Sequence, residues 1–529
     1  PMIYDPIYAT GTADFEQIRK DGCVYVDKTE YIWKMTRLKA PIFLSRPRRF
    51  GKSLLTRTLE CYFKGKKELF EGLKIAEYEK EWTEYPVLRF DLSDCKVGEV
   101  NDIVYSVAQQ IAKYEALWSV TDTGGKLGDR MKRLIHTAVA QTGRKVVILI
   151  DEYDAPLNSN IDRDADFLDA VRSELRSFFG PIKSCEEDIR FAFLTGITRY
   201  SQMGIFSELN NLKNISMLPE YAGVCGITKE ELETVLWSDV ERMAQRLHLS
   251  PEETYAKLKY KYDGYHTCKG SPDIFSPFSL INAFSDGDLH NYWFGSATPT
   301  MLVKYLKKMG TALDVSQLDG ILVKLSSFDI PIESAPDSIA LLYQSGYLTI
   351  KEYIPQLDGY VLGVPNNDVR IGLSESLLPL LVNYNITQTN TFIMQFQSAV
   401  FSDDMTRART LLEAYLAGIH HKVLKDKGEH TYHAIFYTLF SLLGFAPKIE
   451  NGCARGYSDM IFETPTSIYC MEFKVDKSAE AAIQQIIDKG YLRPYAASGK
   501  RLVMVGVSFS TGKRNIENWV TLPYTPATT

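Results

Sequence analysis

The segment Arg46-Pro47-Arg48-Arg49-Phe50-Gly51-Lys52-Ser53-Leu54-Leu55 gathers the residue types that bind phosphate. A Gly-Lys-Ser triplet between a strand and a helix presents backbone N–H groups and a helix N-terminus to an anion. Its lysine neutralises β/γ charge, and its serine hydroxyl meets Mg²⁺. Arg46, Arg49, Phe50, Gly51, Lys52, Ser53 and Leu54 are therefore candidate nucleotide contacts. The usual loop has glycine where this chain has Arg46, and a short Gly-Lys-Ser also occurs in loops that bind nothing, so its surroundings decide. About a hundred residues on, Lys145-Val146-Val147-Ile148-Leu149-Ile150 ends in Asp151-Glu152. An acid at the C-terminal end of a buried strand stands where α/β sheets bind ligands. There Asp151 would hold Mg²⁺, and Glu152 would orient or deprotonate an attacking water. The plainer reading is a solvated acidic turn.

A second centre lies near the C-terminal end. Asp459 opens the run Asp459-Met460-Ile461-Phe462, and Glu472-Phe473-Lys474 follows about a dozen residues later. In a strand, residues i and i+2 share a face, so Glu472 and Lys474 project together toward Asp459. Two carboxylates with oxygen-only chemistry suit Mg²⁺ or Mn²⁺, which would polarise a phosphate and lower the pKa of a bound water. Lys474 would position that water or stabilise developing negative charge. This set resembles the constellation of the PD-(D/E)XK nuclease superfamily. The resemblance implies a further metal-supporting acid at Glu429, with His433 as an alternative helper, and a glutamine at Gln484 or Gln485. Acids and lysines flank strands widely, so the triad alone does not separate a nuclease from an ordinary sheet.

The runs Tyr25-Val26-Asp27-Lys28-Thr29, Arg46 to Leu54, and Asp151-Glu152-Tyr153-Asp154 resemble a bacterial AAA-ATPase-like family whose members commonly carry such a nuclease-like domain. In that family an arginine also replaces the first loop glycine. The resemblance implies ATP as cofactor and a γ-phosphate sensor at Thr195, which ends the apolar run Ile189 to Leu194. Arg199 could reach a phosphate as a charge-assisted donor or be an ordinary surface arginine.

These residues need elements to position them. Pro41 to Leu44, Pro86 to Ser93, Lys145 to Ile150 and Ile189 to Leu194 read as buried strands separated by helical patterns, which implies parallel β with crossover helices. Thr228-Lys229-Glu230-Glu231 has capping-box spacing and opens a helical lid. Tyr360 to Ile371 reads as two strands around an Asn-Asn turn, suggesting a winged-helix-like relay. The expected fold is α/β multidomain. It comprises a P-loop parallel sheet over 1–220, a helical lid over 221–310, a winged-helix-like linker over 311–400 and a restriction-endonuclease-like α/β domain over 401–529.

The chain's 529 residues suggest two to four domains, and 45% hydrophobic with 24% charged residues is the balance of a folded soluble protein. No apolar run approaches the ~20 residues of a membrane span, and Pro1 to Asp5 lacks the basic and apolar regions of a signal peptide. Eight scattered cysteines without a C-x-x-C pair fit a reducing cytoplasm rather than a zinc ribbon or disulfide framework. A net charge of −6 advertises no global field for nucleic acid, although a local patch could bind DNA or RNA. Assembly into a homo-oligomer is compatible with the sequence. The expectation is an ATPase coupled to a metal-dependent nuclease. The alternative is a nucleotide-switched scaffold whose nuclease-like domain binds nucleic acid or protein without cutting.

Overall fold

The computed structural model describes residues 5–199, 209–293, 299–309, 318–381, 384–419, 435, 438–439, 442 and 459–525. The chain divides into two compact units. Pro1–Thr311 with Leu322–Asn366 forms the first, and Ala312–Ile321 with Asn367–Thr529 forms the second. The division falls at Asn366/Asn367, inside the stretch expected to be a linker over 311–400.

Unit 1 is built on a five-stranded parallel sheet: β1 (Ile42–Ser45), β2 (Val87–Asp91), β3 (Val146–Asp151), β4 (Ile189–Gly196) and β5 (Lys213–Asn214), in the order β2-β3-β4-β1-β5. Every residue of β3 is buried, as expected of a strand covered on both faces. Helices Val100–Leu117, Leu127–Thr142 and Ala165–Phe179 contribute Val107, Leu134, Ile135 and Phe178 to a core that includes Phe90, Ile148 and Leu194 of the sheet. Gly143, at positive φ, ends the second of these helices just before β3. Asp164 caps the third, accepting from the Phe167 N–H.

After the sheet comes a helical region pinned by a short antiparallel pair, β6 (Ile227–Thr228) and β7 (Ile274–Phe275). The capping box at Thr228 is present: Glu231 N–H donates to Thr228 Oγ1 at 3.2 Å, and Thr228 N–H donates to Glu231 Oε1 at 2.9 Å. A three-stranded sheet follows, β8 (Ile321–Val323), β9 (Thr349–Ile354) and β10 (Gly359–Gly363), with β10 central.

Here one expectation is corrected. The hairpin turns at Pro355 to Asp358, and Asn367 starts a helix, Asn367–Leu381, instead of a second strand. Asn and Asp serve hairpin turns and helix starts alike. Val369, Leu373 and Leu377, buried at i, i+4 spacing, decide for the helix. The winged-helix reading loses the hairpin on which it rested.

Unit 2 carries a four-stranded sheet, β11 (Asp459–Glu463), β12 (Ser467–Val475), β13 (Arg501–Ser510) and β14 (Asn515–Pro523), in sequential order. β12 and β13 run parallel, and the two outer strands are antiparallel to their neighbours. Helix Ala479–Lys489 is the crossover between the parallel pair. The residues of β12 alternate strictly. Tyr469, Met471 and Phe473 join a core that includes Phe396 and Leu412, while Ile468 and Cys470 pack with Ile483 and Ile486 of the crossover helix. Glu472 and Lys474 belong to this second face. Gly506, paired with Glu472 across the parallel ladder, lets that helix lie close: a Cβ there would stand 2.4 Å from the Ala479 carbonyl.

Candidate functional site

In unit 1 the candidate phosphate loop follows β1, and Gly51 begins the helix Lys52–Phe63 at φ +92° with no side-chain cap on the first turn. The positive φ is glycine's region, and a Cβ at Gly51 would meet nothing within 4 Å, so the loop's open side faces space. A cavity of about 650 Å³ lies there, lined in part by Arg49, Gly51, Lys52, Ser53, Glu152 and Phe278. Phe50 and Leu54 also line it, as do Tyr25, Val26 and Lys28 from the upstream motif.

Lys52 is only 4% exposed, and its Nζ donates to the Pro47 carbonyl at 2.8 Å. Burial pushes its pKa down, opposed by the charges of Glu152 and Asp151. Ser53 Oγ donates to Asp151 Oδ2 at 2.6 Å, joining residues far apart in sequence. Asp151 is itself 3% exposed, and burial raises its pKa against the opposing bond from Ser53. Glu152 sits at φ +50°, a conformation that costs a non-glycine residue energy and aims the side chain differently from a continuing strand. Burial raises its pKa too, with the charge of Lys52 pulling the other way.

Arg46, Thr195 and Arg199 do not line this cavity. Arg46 is buried with its guanidinium on backbone carbonyls, Ser216 at 2.6 Å and Tyr221 at 3.2 Å. It braces the segment that follows β5 instead of offering a Cβ-free corner. Thr195 Oγ1 donates to the Leu44 carbonyl at 2.8 Å, tying β4 to β1. Arg199 Nη1 donates to the Asp329 carbonyl at 2.8 Å and pairs with its carboxylate at 3.3 Å.

The sequence reading passed over two further roles. Asp154 is buried and accepts from the Ile197 and Thr198 N–H groups, Thr198 Oγ1 and Asn158 Nδ2, at 2.7–2.9 Å. It thereby ties the turn after β3 to the loop after β4. Phe278 lies under Arg49, 4.2 Å from guanidinium to ring centroid, and Phe50 packs edge-on against Tyr265 at 4.8 Å. The helical region thus touches the phosphate loop through rings that carry no motif signature.

In unit 2 the backbone register sets Asp459 directly opposite Glu472. Lys474 Nζ stands 3.1 Å from Glu472 Oε1 and also donates to Gln485 Oε1. Glu472 is fully buried. Of the two glutamines expected, Gln485 meets the lysine, while Gln484 bonds Asp488 at an exposed position. The Asp459 side chain, Glu429 and His433 lie outside the described residues.

Both sites suit a hard divalent cation in donor type. A hydroxyl and a carboxylate meet at Ser53 and Asp151, and a buried carboxylate and an amide oxygen flank Lys474. Among the described residues, no group of three or more His, Cys, Asp or Glu side chains could hold a metal ion by itself. At the phosphate loop, a nucleotide would have to supply the remaining oxygens.

Residues 9–206 match the sequence model of a family described as "Predicted AAA-ATPase", and residues 427–519 match that of the PD-(D/E)XK nuclease superfamily. An uncharacterized protein from the region 5′ of vnfD in Azotobacter chroococcum mcd 1 is 32% identical over 530 residues. The similarity covers 96% of this chain and 98% of that protein.

Proposed function

Because this chain belongs to the AAA-ATPase-like family, with a PD-(D/E)XK nuclease-superfamily domain toward its C-terminal end, we propose that it hydrolyses ATP in unit 1 and cuts nucleic-acid phosphodiesters in unit 2, the first event licensing the second. The observation that carries this reading is the 2.6 Å bond between Ser53 and Asp151, beside a buried Lys52 and an uncapped helix start. A serine, an acid and a lysine from two strand ends converge where a triphosphate and its cation would lie.

The residues divide the work. Lys52 leaves the Pro47 carbonyl for the β/γ-phosphate oxygens, and the first-turn N–H groups hold the remaining charge. Arg49 and Phe50 fix the loop against Phe278 and Tyr265. Ser53 and Asp151 would hold the cation. Glu152, its pKa raised by burial, is a stronger base than an exposed glutamate and orients the attacking water. Arg46, Thr195 and Asp154 keep the strand ends in register around them.

In unit 2, Asp459 and Glu472, with Glu429 as the further acid, would hold Mg²⁺ or Mn²⁺. Lys474, steered by Gln485, stands beside Glu472 where negative charge develops at the scissile phosphate. A divalent cation supplies Lewis-acid charge neutralisation at both phosphates. The partners proposed are ATP and DNA or RNA. No helix among the described residues is long and apolar enough to cross a membrane.

The test is ATP turnover and cleavage of labelled single- and double-stranded DNA and RNA with Mg²⁺ or Mn²⁺. ATP turnover without any cleavage would favour the nucleotide-switched scaffold instead.

A further inference from the structure

The parallel sheet of unit 1 has a second cavity at the pole opposite the phosphate loop. Its volume is about 460 Å³. Lys39 precedes β1, Tyr85 precedes β2, Arg190 is the second residue of β4, and Phe63 ends the helix that starts at Lys52, so the cavity sits at the strands' N-terminal ends. It shares no residue with the site already described.

Its walls are aromatic. Trp33 stacks on Tyr78 at 5.9 Å and 25°, and Trp82 meets Tyr62 at 5.8 Å. Two guanidinium groups stand among the rings. Arg37 lies 5.5 Å from the centre of Trp33, and Arg190 lies 5.7 Å from the centres of both Phe63 and Tyr85. Among the described residues neither arginine has a carboxylate partner. Two acids also line the cavity: Glu79, which is engaged by Tyr62 Oη and by the N–H groups of Glu81 and Trp82, and Glu81, whose side chain is exposed. Trp82 holds φ +50°, a costly conformation for a bulky side chain, and its carbonyl would lie 2.6 Å from a Cβ at Gly65. The wall is thus held in place from behind by a glycine that admits the backbone.

Each simpler occupant leaves part of this arrangement unused. An inorganic anion has no use for stacked rings, and an apolar ligand has no use for the two guanidinium groups, Arg37 exposed and Arg190 half-buried, that stand at the cavity's edge. A flat ring joined to an anionic group satisfies both, and the volume is ample for one. We propose that this cavity is a second nucleotide site, distinct from the phosphate loop. It stacks a nucleobase on the Trp33/Trp82 walls and places phosphate on Arg37 and Arg190. Base–aromatic stacking beside arginine is the chemistry by which proteins take single nucleotides and single strands alike. The ligand is therefore either a free mononucleotide or one residue of a strand.

The full chain carrying Lys52→Ala separates this site from the phosphate loop. Equilibrium dialysis is run with AMP in one arm and a short single-stranded oligonucleotide in the other. Because unit 2 is itself proposed to hold nucleic acid, only binding lost on replacing Arg37 and Arg190 reports on this cavity: such binding in the AMP arm identifies a free nucleotide, and in the oligonucleotide arm alone a strand. In either case, adding Arg37→Ala with Arg190→Ala weakens binding at least about tenfold. The arginine pair replaced in the chain that keeps Lys52 leaves ATP turnover intact. Trp33→Phe gives an independent reading, since ligand-induced quenching of tryptophan fluorescence falls when that ring is gone. No ligand in either arm, or binding and quenching indifferent to these substitutions, overturns the proposal.

Discussion

Lys52 is an ammonium that burial disfavours, and within the loop it donates to the Pro47 carbonyl at 2.8 Å. Such a group gains most when a polyanion arrives, so Lys52→Ala should weaken ATP binding at least about 30-fold by titration calorimetry. Unchanged affinity would remove the lysine from the site. Asp263 shows the opposite case, a buried carboxyl whose desolvation outweighs the pull of Lys259 and His266. Burial pushes its pKa up to about 6, from an ordinary 3.8, against the backbone bond from Gly264. A raised acid pKa stabilises the fold fully below the unfolded value and loses that contribution as pH climbs through the folded one. Between pH 4 and 8 wild-type unit 1 should therefore lose up to about 3 kcal/mol that Asp263→Asn does not. Urea unfolding of both proteins at pH 5 and pH 8 measures the difference. A gap that fails to widen toward pH 8 would contradict this assignment.

At the scale of elements, helix Ala479–Lys489 presents Gln485 to Lys474 only because Gly506 lets it settle on β13. Gly506→Ala should cost about 1–3 kcal/mol in unit 2 and reduce nuclease activity more than a surface Gly→Ala change would. Thermal unfolding and cleavage rates on one preparation check both. Much of this layout was legible in the sequence. The all-apolar run before Asp151 declared a buried strand, and the i, i+2 spacing of Glu472 and Lys474 declared a shared face. Thr228 and Glu231 announced their capping box. Asn366-Asn367-Asp368 misled because its residue types suit turns and helix starts equally, and only the spacing of Val369, Leu373 and Leu377 told them apart. Asp154, Phe278 and Tyr265 carried no signal of their own. Their roles come from partners distant in sequence, and no local pattern encodes those.

For the whole molecule, the account makes one chain out of two chemistries. In the proposed function unit 1 supplies a nucleotide cleft and unit 2 a phosphodiester site, and each unit is folded around its own core. Motif spacing points to the two candidate centres separately. It could not show that the chain divides at Asn366/Asn367, because Pro365-Asn366-Asn367 reads as one more turn between elements, with nothing to mark it as a boundary between units. The central claim is that ATP at the first centre licenses cutting at the second. The most direct measurement is cleavage of labelled DNA and RNA with Mg²⁺, with and without ATP, by wild type, Lys52→Ala and Glu472→Gln side by side. Wild type should cut faster with ATP, Lys52→Ala should lose that stimulation, and Glu472→Gln should lose cutting while retaining ATP turnover. Cutting that persists in Glu472→Gln, or that ignores both ATP and Lys52, would contradict the claim.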